Sequence, residues 1–271
     1  MTSITTMTDL PYYHVDAFAD RPFTGNQAAV MPLDAWLDDA TMQAIGEENA
    51  FAETAFYIPD ASGEADYELR WFTPAVEIRL CGHATLASGH IILSQNPDME
   101  RVTFRTRKAG ILEVRREADG YAVALPAIPT EAVEIPEILS AMGGKPLSMR
   151  RNPDHYNLFR YATAQEVLAL KPDMKALAAF GDDSFTATAP GTDTDIVSRV
   201  FVPGAGVDED SVTGSAHAVL APYWADELGR DSFTAYQASA RGGYLGCRLE
   251  GDRAWLSGKC FTVVKGTFSL G

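Results

Sequence analysis

Phe72-Thr73-Pro74 leads through an acidic and apolar stretch to Cys81-Gly82-His83-Ala84, and an apolar run follows. Farther along, Phe201-Val202-Pro203 leads through a second such stretch to Thr213-Gly214-Ser215-Ala216 and a second apolar run. The two glycines lie 132 positions apart in a chain of 271. That offset points to two halves of one design, each with a small-residue turn that opens a buried helix. A helix start leaves backbone N–H groups unpaired at the positive end of its dipole. Two such starts facing one cleft would hold an anion.

The rest of the composition sharpens this reading. With 46% hydrophobic residues the chain can bury a full core, as one large domain or two ordinary ones. It carries 37 acidic against 22 basic residues, a net charge of -15. That balance argues against nucleic acid or an anionic membrane surface as a partner. An acidic chain that binds a carboxylate needs a local positive field, which helix starts supply without lysines. Cys81, Cys247 and Cys260 form an odd set without C-x-x-C spacing, so neither a disulfide framework nor a zinc site is expected, and a cytoplasmic location fits. No apolar run reaches membrane-spanning length, and Met1 to Leu10 reads as a loose tail.

Alternation and turn residues place strands over 12–18, 28–31, 51–58 and 67–72, and an amphipathic helix over 38–48. Residues 84–93 are apolar around the whole circumference, as in a core helix. Strands over 102–104, 111–115 and 121–125 complete the first unit, and the three prolines between Pro126 and Pro136 mark the crossing to the second. There a short helix over 164–170 precedes strands over 185–188 and 196–201. The second core helix, 215–228, is ended by Gly229 and kinked by Pro222, and strands over 244–249, 254–258 and 262–268 follow.

Glu53 sits at the mouth of an apolar, aromatic strand, Ala52-Glu53-Thr54-Ala55-Phe56-Tyr57. Such surroundings raise a carboxyl pKa towards the value a general acid/base needs near neutrality, although a solvated strand-end glutamate would look the same. His83 opens the first core helix, where the dipole favours a neutral ring; a satisfied core histidine is the plain alternative. Asp210 precedes the second helix, where it could cap free N–H groups or face the cleft. Thr213, Gly214 and Ser215 form either a cap cluster or an anion cradle from the same N–H groups. His83 and His90 share one helix face, but no acid or cysteine has metal spacing and H-E-x-x-H is absent, so no metal is expected. Dinucleotide, P-loop and G-x-S-x-G signatures are also absent.

Taken together, Val15-Asp16-Ala17-Phe18, Gly25-Asn26-Gln27-Ala28, Ala52-Glu53-Thr54-Ala55-Phe56, Phe72-Thr73-Pro74, Leu80-Cys81-Gly82-His83-Ala84-Thr85, Glu209 to Ala216 and Ser239-Ala240-Arg241-Gly242-Gly243 resemble the PhzF family of phenazine-biosynthesis-like isomerases. Gln27 departs from the proline usual in that family. The resemblance implies an α/β, diaminopimelate-epimerase-like fold of two pseudo-symmetric domains. Each would curl a β-sheet around a central helix, with the active site in the cleft between them. The domains would span 11–127, completed by the last strand near 260–271, and 128–259. The resemblance places the acid/base on Glu53 and supporting catalytic roles on His83, Asp210 and Ser215, with Asn26, Gly82, Thr213 and Gly214 binding substrate. It implies a proton-shifting isomerase that needs no cofactor, takes a small anionic carboxylic acid and forms a homodimer. A two-cysteine epimerase of the same fold would use Cys81 and a second thiol at the other helix start, where Thr213-Gly214-Ser215 stands instead. A non-catalytic binding module on the same scaffold is the other alternative.

Overall fold

The computed structural model of the chain describes residues 8–271. In chain order the first elements are β1 (Thr8–Ala17), β2 (Asn26–Pro32), α1 (Asp39–Asn49), β3 (Glu53–Pro59), β4 (Tyr67–Phe72), β5 (Glu77–Ile78) and α2 (Gly82–Gln95). They are followed by β6 (Arg101–Thr106), β7 (Ile111–Glu117), β8 (Gly120–Pro126), β9 (Glu131–Ala132), α3 (Pro136–Met142), β10 (Ser148–Arg151) and β11 (Tyr156–Arg160). Next come α4 (Ala164–Leu168), α5 (Met174–Ala178), β12 (Ser184–Pro190), β13 (Ile196–Val202), β14 (Val207–Glu209) and α6 (Gly214–Leu228). The described chain finishes with β15 (Ser232–Gln237), β16 (Gly243–Glu250), β17 (Arg253–Gly258) and β18 (Cys260–Leu270).

The strands form one continuous hydrogen-bonded sheet whose pairings repeat. From one edge it runs β18-β1-β2-β3-β4-β6-β7-β8, crosses to β17, and continues β16-β15-β13-β12-β11-β10-β9. In each half two parallel pairs interrupt the antiparallel order: β2–β3 and β4–β6 in the first, β11–β12 and β13–β15 in the second. A parallel pair needs a long crossover, and helices supply it. The crossover from β4 to β6 carries α2, and that from β13 to β15 carries α6. The two halves meet where β8 pairs antiparallel with β17, Tyr121 opposite Gly258. The sheet has two free edges among the described residues, so it is not a closed barrel.

Both crossover helices are buried because their apolar residues surround the axis. Ala84, Leu86 and Ile91 of α2 share one core with Val219, Leu220 and Trp224 of α6, joined by β-strand residues such as Val114, Val123 and Leu256. Two smaller cores flank it. One packs α3, α4 and α5 on β11 to β13 through Met142, Phe159, Leu177, Phe185 and Phe201; the other packs α1 on the first sheet through Met31, Met42, Phe56 and Phe72. No helix of the described residues is long and apolar enough to cross a membrane.

Several expectations from sequence need correction. Thr8 to Leu10 are not tail but the start of β1, paired with Leu270, Ser269 and Phe268; Met1 to Met7 lie outside the described residues. The pairing comes from the far end of the chain, so no local pattern announces it. The proline-rich crossing contains β9, whereas the second core helix is as read, with Pro222 inside α6 and a left-handed cap at Gly229. Elements α3, α5, β10, β11 and β15 carry little local periodicity and were not foreseen.

Candidate active site

The two helix starts touch. A methyl group on Gly82 would lie 2.9 Å from the Gly214 Cα, and one on Gly214 would lie 2.8 Å from the Gly82 Cα. Only glycine lets two helix ends approach this closely. Neither start is capped by its own N-cap side chain: Cys81 makes no such bond to α2 and Thr213 none to α6. The residue type explains the first, because a thiol is a poor acceptor. Thr213 is a good capping residue whose hydroxyl has gone elsewhere, donating to Asp210 Oδ2 at 2.5 Å.

Around this junction the structure gathers most of the residues singled out from sequence. Glu53, the first residue of β3, presents Oε2 to His83 Nε2 at 2.9 Å, an ion-pair distance without hydrogen-bond alignment. Asn26, at the start of β2, is buried and donates from its amide nitrogen to Val212 O at 2.8 Å and Asp210 Oδ1 at 2.9 Å, and that nitrogen lies 3.2 Å from His83 Nδ1. A backbone carbonyl only accepts, so Val212 fixes which end of the Asn26 amide faces the cluster. Asp210 also accepts from the Ser211 N–H at 2.8 Å. Ser215 lies in the first turn of α6, beside the partly buried Tyr156 phenol of β11. Burial raises the pKa of that phenol, and hydrogen bonding to Ser215 partly offsets the rise.

The local chemistry differs from the sequence reading at His83 and at Asp210. His83 is not held neutral: burial opposes its charge, but the Cys81 sulfur and the Glu53 carboxylate outweigh that and raise its pKa well above the usual imidazole value. The Cys81 thiol is itself pushed up to about 11, by burial and then by Glu53, so at neutral pH it stays protonated. Glu53 accordingly faces a cation as well as apolar strand residues. Asp210 does not cap α6 but joins Asn26 to Thr213, and burial raises its pKa. Of the residues expected to bind substrate, Thr213 gives its N–H to Gln237 Oε1 at 2.8 Å, and Asn26 gives its amide nitrogen to Val212 and Asp210.

A further group of side chains tethers the loop that carries Asn26. Arg241, from the segment after β15, donates to Asp16 Oδ1 and to Gly25 O, each at 2.8 Å. The buried Asp16 also accepts from the Phe23 N–H at 2.7 Å. Gly25 has φ +68°, and a side chain there would collide with Ala17 O, so this tight loop requires glycine. Sequence reasoning quoted Asp16 and Arg241 without giving them a task; Gln237 and Tyr156 went unremarked, since no local pattern links them to the turns they touch.

Glu53, Cys81 and His83 also bring three metal-ligand types within 4.8 Å of one another, a cluster hidden from sequence spacing because β3 supplies one member. Cys81 faces Nδ1 of the ring at 3.5 Å and Glu53 faces Nε2. With the two side chains on different nitrogens of one imidazole, a single tetrahedral ion would not engage all three as they stand. A cavity of about 560 Å³ lined by Asp20, Asp119, Tyr244 and Lys259 contains none of these side chains.

Comparison with known proteins agrees with this architecture. The family model described as phenazine biosynthesis-like protein, PhzC-PhzF, matches residues 15–266. An uncharacterized isomerase of Pseudomonas aeruginosa is 44% identical over 97% of this chain and 100% of its own length. The crystal structure of a PhzF-family protein from Enterococcus faecalis superposes with a TM-score of 0.88 at 39% identity, covering 97% of this chain and 100% of that one. A hydroxyproline epimerase from Agrobacterium vitis shares the fold alone, with a TM-score of 0.65 at 12% identity over 97% and 93% of the two chains. With the match spanning nearly every described element, from within β1 into β18, the chain belongs to the phenazine biosynthesis-like PhzC-PhzF family, relatives of which are named isomerases.

Proposed function

We propose that this chain is a cofactor-independent isomerase that moves a proton on a small carboxylic acid, with Glu53 as the acid/base. The observation that carries the reading is the Glu53–His83 pair, 2.9 Å apart, beside two abutting helix starts without side-chain caps. Oε2 is buried against the ring, so the exposed part of the carboxylate is the part that meets a substrate carbon. Glu53 takes a proton from that carbon, and the electron pair of the broken C–H bond spreads towards the substrate carboxylate. The His83 charge and the first-turn N–H groups of α2 and α6 offset the growing negative charge. Glu53 then returns the proton to another carbon, so nothing is oxidised or reduced.

The test is exchange of solvent deuterium into a panel of small unsaturated carboxylic acids. Wild type should exchange at least one panel member, and Glu53→Gln should bind it yet exchange at least a hundredfold more slowly, the usual scale of a lost acid/base group. Undiminished exchange in that variant would sink the assignment. Cys81→Ser should retain most of the exchange; its loss with an intact fold would favour the two-thiol epimerase. Against that alternative, the N-cap of α6 is Thr213, and Cys247 and Cys260 lie on β16 and β18.

The same reading divides the chain into a unit over 11–127 completed by 260–271 and a unit over 128–259. The pairing of β18 with β1 and of β9 with β10 supports that division.

A further inference from the structure

Thr213 occupies the N-cap of α6 with extended backbone, φ -110° and ψ 104°, the conformation from which a threonine hydroxyl ordinarily accepts from its own helix. It does not do so here, and its surroundings explain why. The hydroxyl donates to Asp210 Oδ2 at 2.5 Å and lies 3.2 Å from Gln237 Nε2, which donates to it. The Gln237 amide nitrogen also donates to Asp210 O at 2.9 Å, while its oxygen accepts from the Thr213 N–H. Gln237 is fully buried, at 0% exposure, on the last residue of β15. One side chain thus binds both ends of the turn from Asp210 to Thr213 and takes the hydroxyl that would close the helix.

We propose that Gln237 is a positioning residue that keeps the start of α6 open to an anion by diverting the Thr213 hydroxyl from its own helix. The proposal rests on the reading that an anion docks where α2 and α6 meet. Independently of the helix ends, the buried His83, whose Nε2 lies 2.9 Å from Glu53 Oε2, supplies a side chain of matching charge at that junction. At α2 the same openness needs no device, because the N-cap is a cysteine. At α6 it is imposed by a glutamine from the neighbouring strand. Without the Gln237 amide, the Thr213 hydroxyl is held by Asp210 Oδ2 alone, and once it turns from that bond its oxygen competes with the anion for the first-turn N–H groups.

The experiment compares wild type, Gln237→Met and Gln237→Met/Thr213→Val, using inorganic sulfate as the probe in calorimetric titration, with Gln237→Leu replacing Gln237→Met if the latter does not fold. Sulfate should bind the single variant about fivefold more weakly, the scale of one recovered N-cap. The double variant, which has no hydroxyl with which to cap, should regain most of the affinity. A general loosening of the turn would weaken both variants alike, and that pattern would overturn the proposal. The crystal structure of the single variant is the second readout. Thr213 Oγ1 within hydrogen-bond reach of an α6 first-turn N–H supports the proposal, and Oγ1 still on Asp210 refutes it. If wild type binds no sulfate, the anion reading fails, and the position of Oγ1 alone decides the role of Gln237.

Discussion

His83 carries the clearest pH signature of any single residue. Its folded pKa lies above the unfolded value of about 6.5, so its contribution to stability is complete below pH 6.5 and is lost as pH rises through the folded value. The groups that raise it are Cys81 and then Glu53. Glu53→Gln should therefore lower the His83 pKa and move the loss of that contribution to lower pH. Nitrogen-15 NMR titration of the ring reads this directly, and an unchanged His83 titration would contradict it. The sequence showed both residues but not their meeting: Glu53 opens a strand, His83 opens a helix, and only the fold brings them to 2.9 Å. The dipole argument for a neutral imidazole failed because a carboxylate in contact outweighs a partial charge at a helix end.

Among the elements, α2 and α6 depend on each other through Gly82 and Gly214. Gly82→Ala should cost about 2 kcal/mol in denaturant unfolding, the scale of an overpacked core site, since the added methyl meets the Gly214 backbone as well as the Leu125 side chain. Adding Gly214→Ala should cost less than it does alone, because helices already pushed apart have made room for the second methyl. Full additivity would mean that the two glycines do not share one contact. These helices were legible because their apolar circumference and their repeated turn are local patterns. Strands β2, β4 and β13 were read for the same reason. By contrast β15 holds Gln237, the brace of the second helix start, and its alternation is too weak to announce either the strand or the contact.

Across the whole molecule, the Arg241–Asp16 pair ties the loop before Asn26 to the segment after β15, linking parts of the chain 225 residues apart. Arg241→Leu leaves a buried carboxylate with only the Phe23 N–H as a hydrogen-bond donor, and should cost about 3 kcal/mol. Adding Asp16→Leu should recover part of that loss; urea unfolding of the three proteins would show whether it does. The repeat of turns made the two-halved architecture readable, whereas the interleaving of the termini was visible only as the family resemblance implied it. The long pairing of β1 with β18 bears on the order in which the chain can be made and folded. During synthesis β1 emerges well before β18, so the strand waits for residues 260–270 with one side unpaired. The segment from β9 to β17 needs no such wait, since its own strands pair with one another in sequence. Nascent molecules should thus pair β2 to β8, and then β9 to β17, before β1 gains its second partner. The early strand, Thr8 to Ala17, is the stretch most in need of a chaperone while the ribosome is still at work.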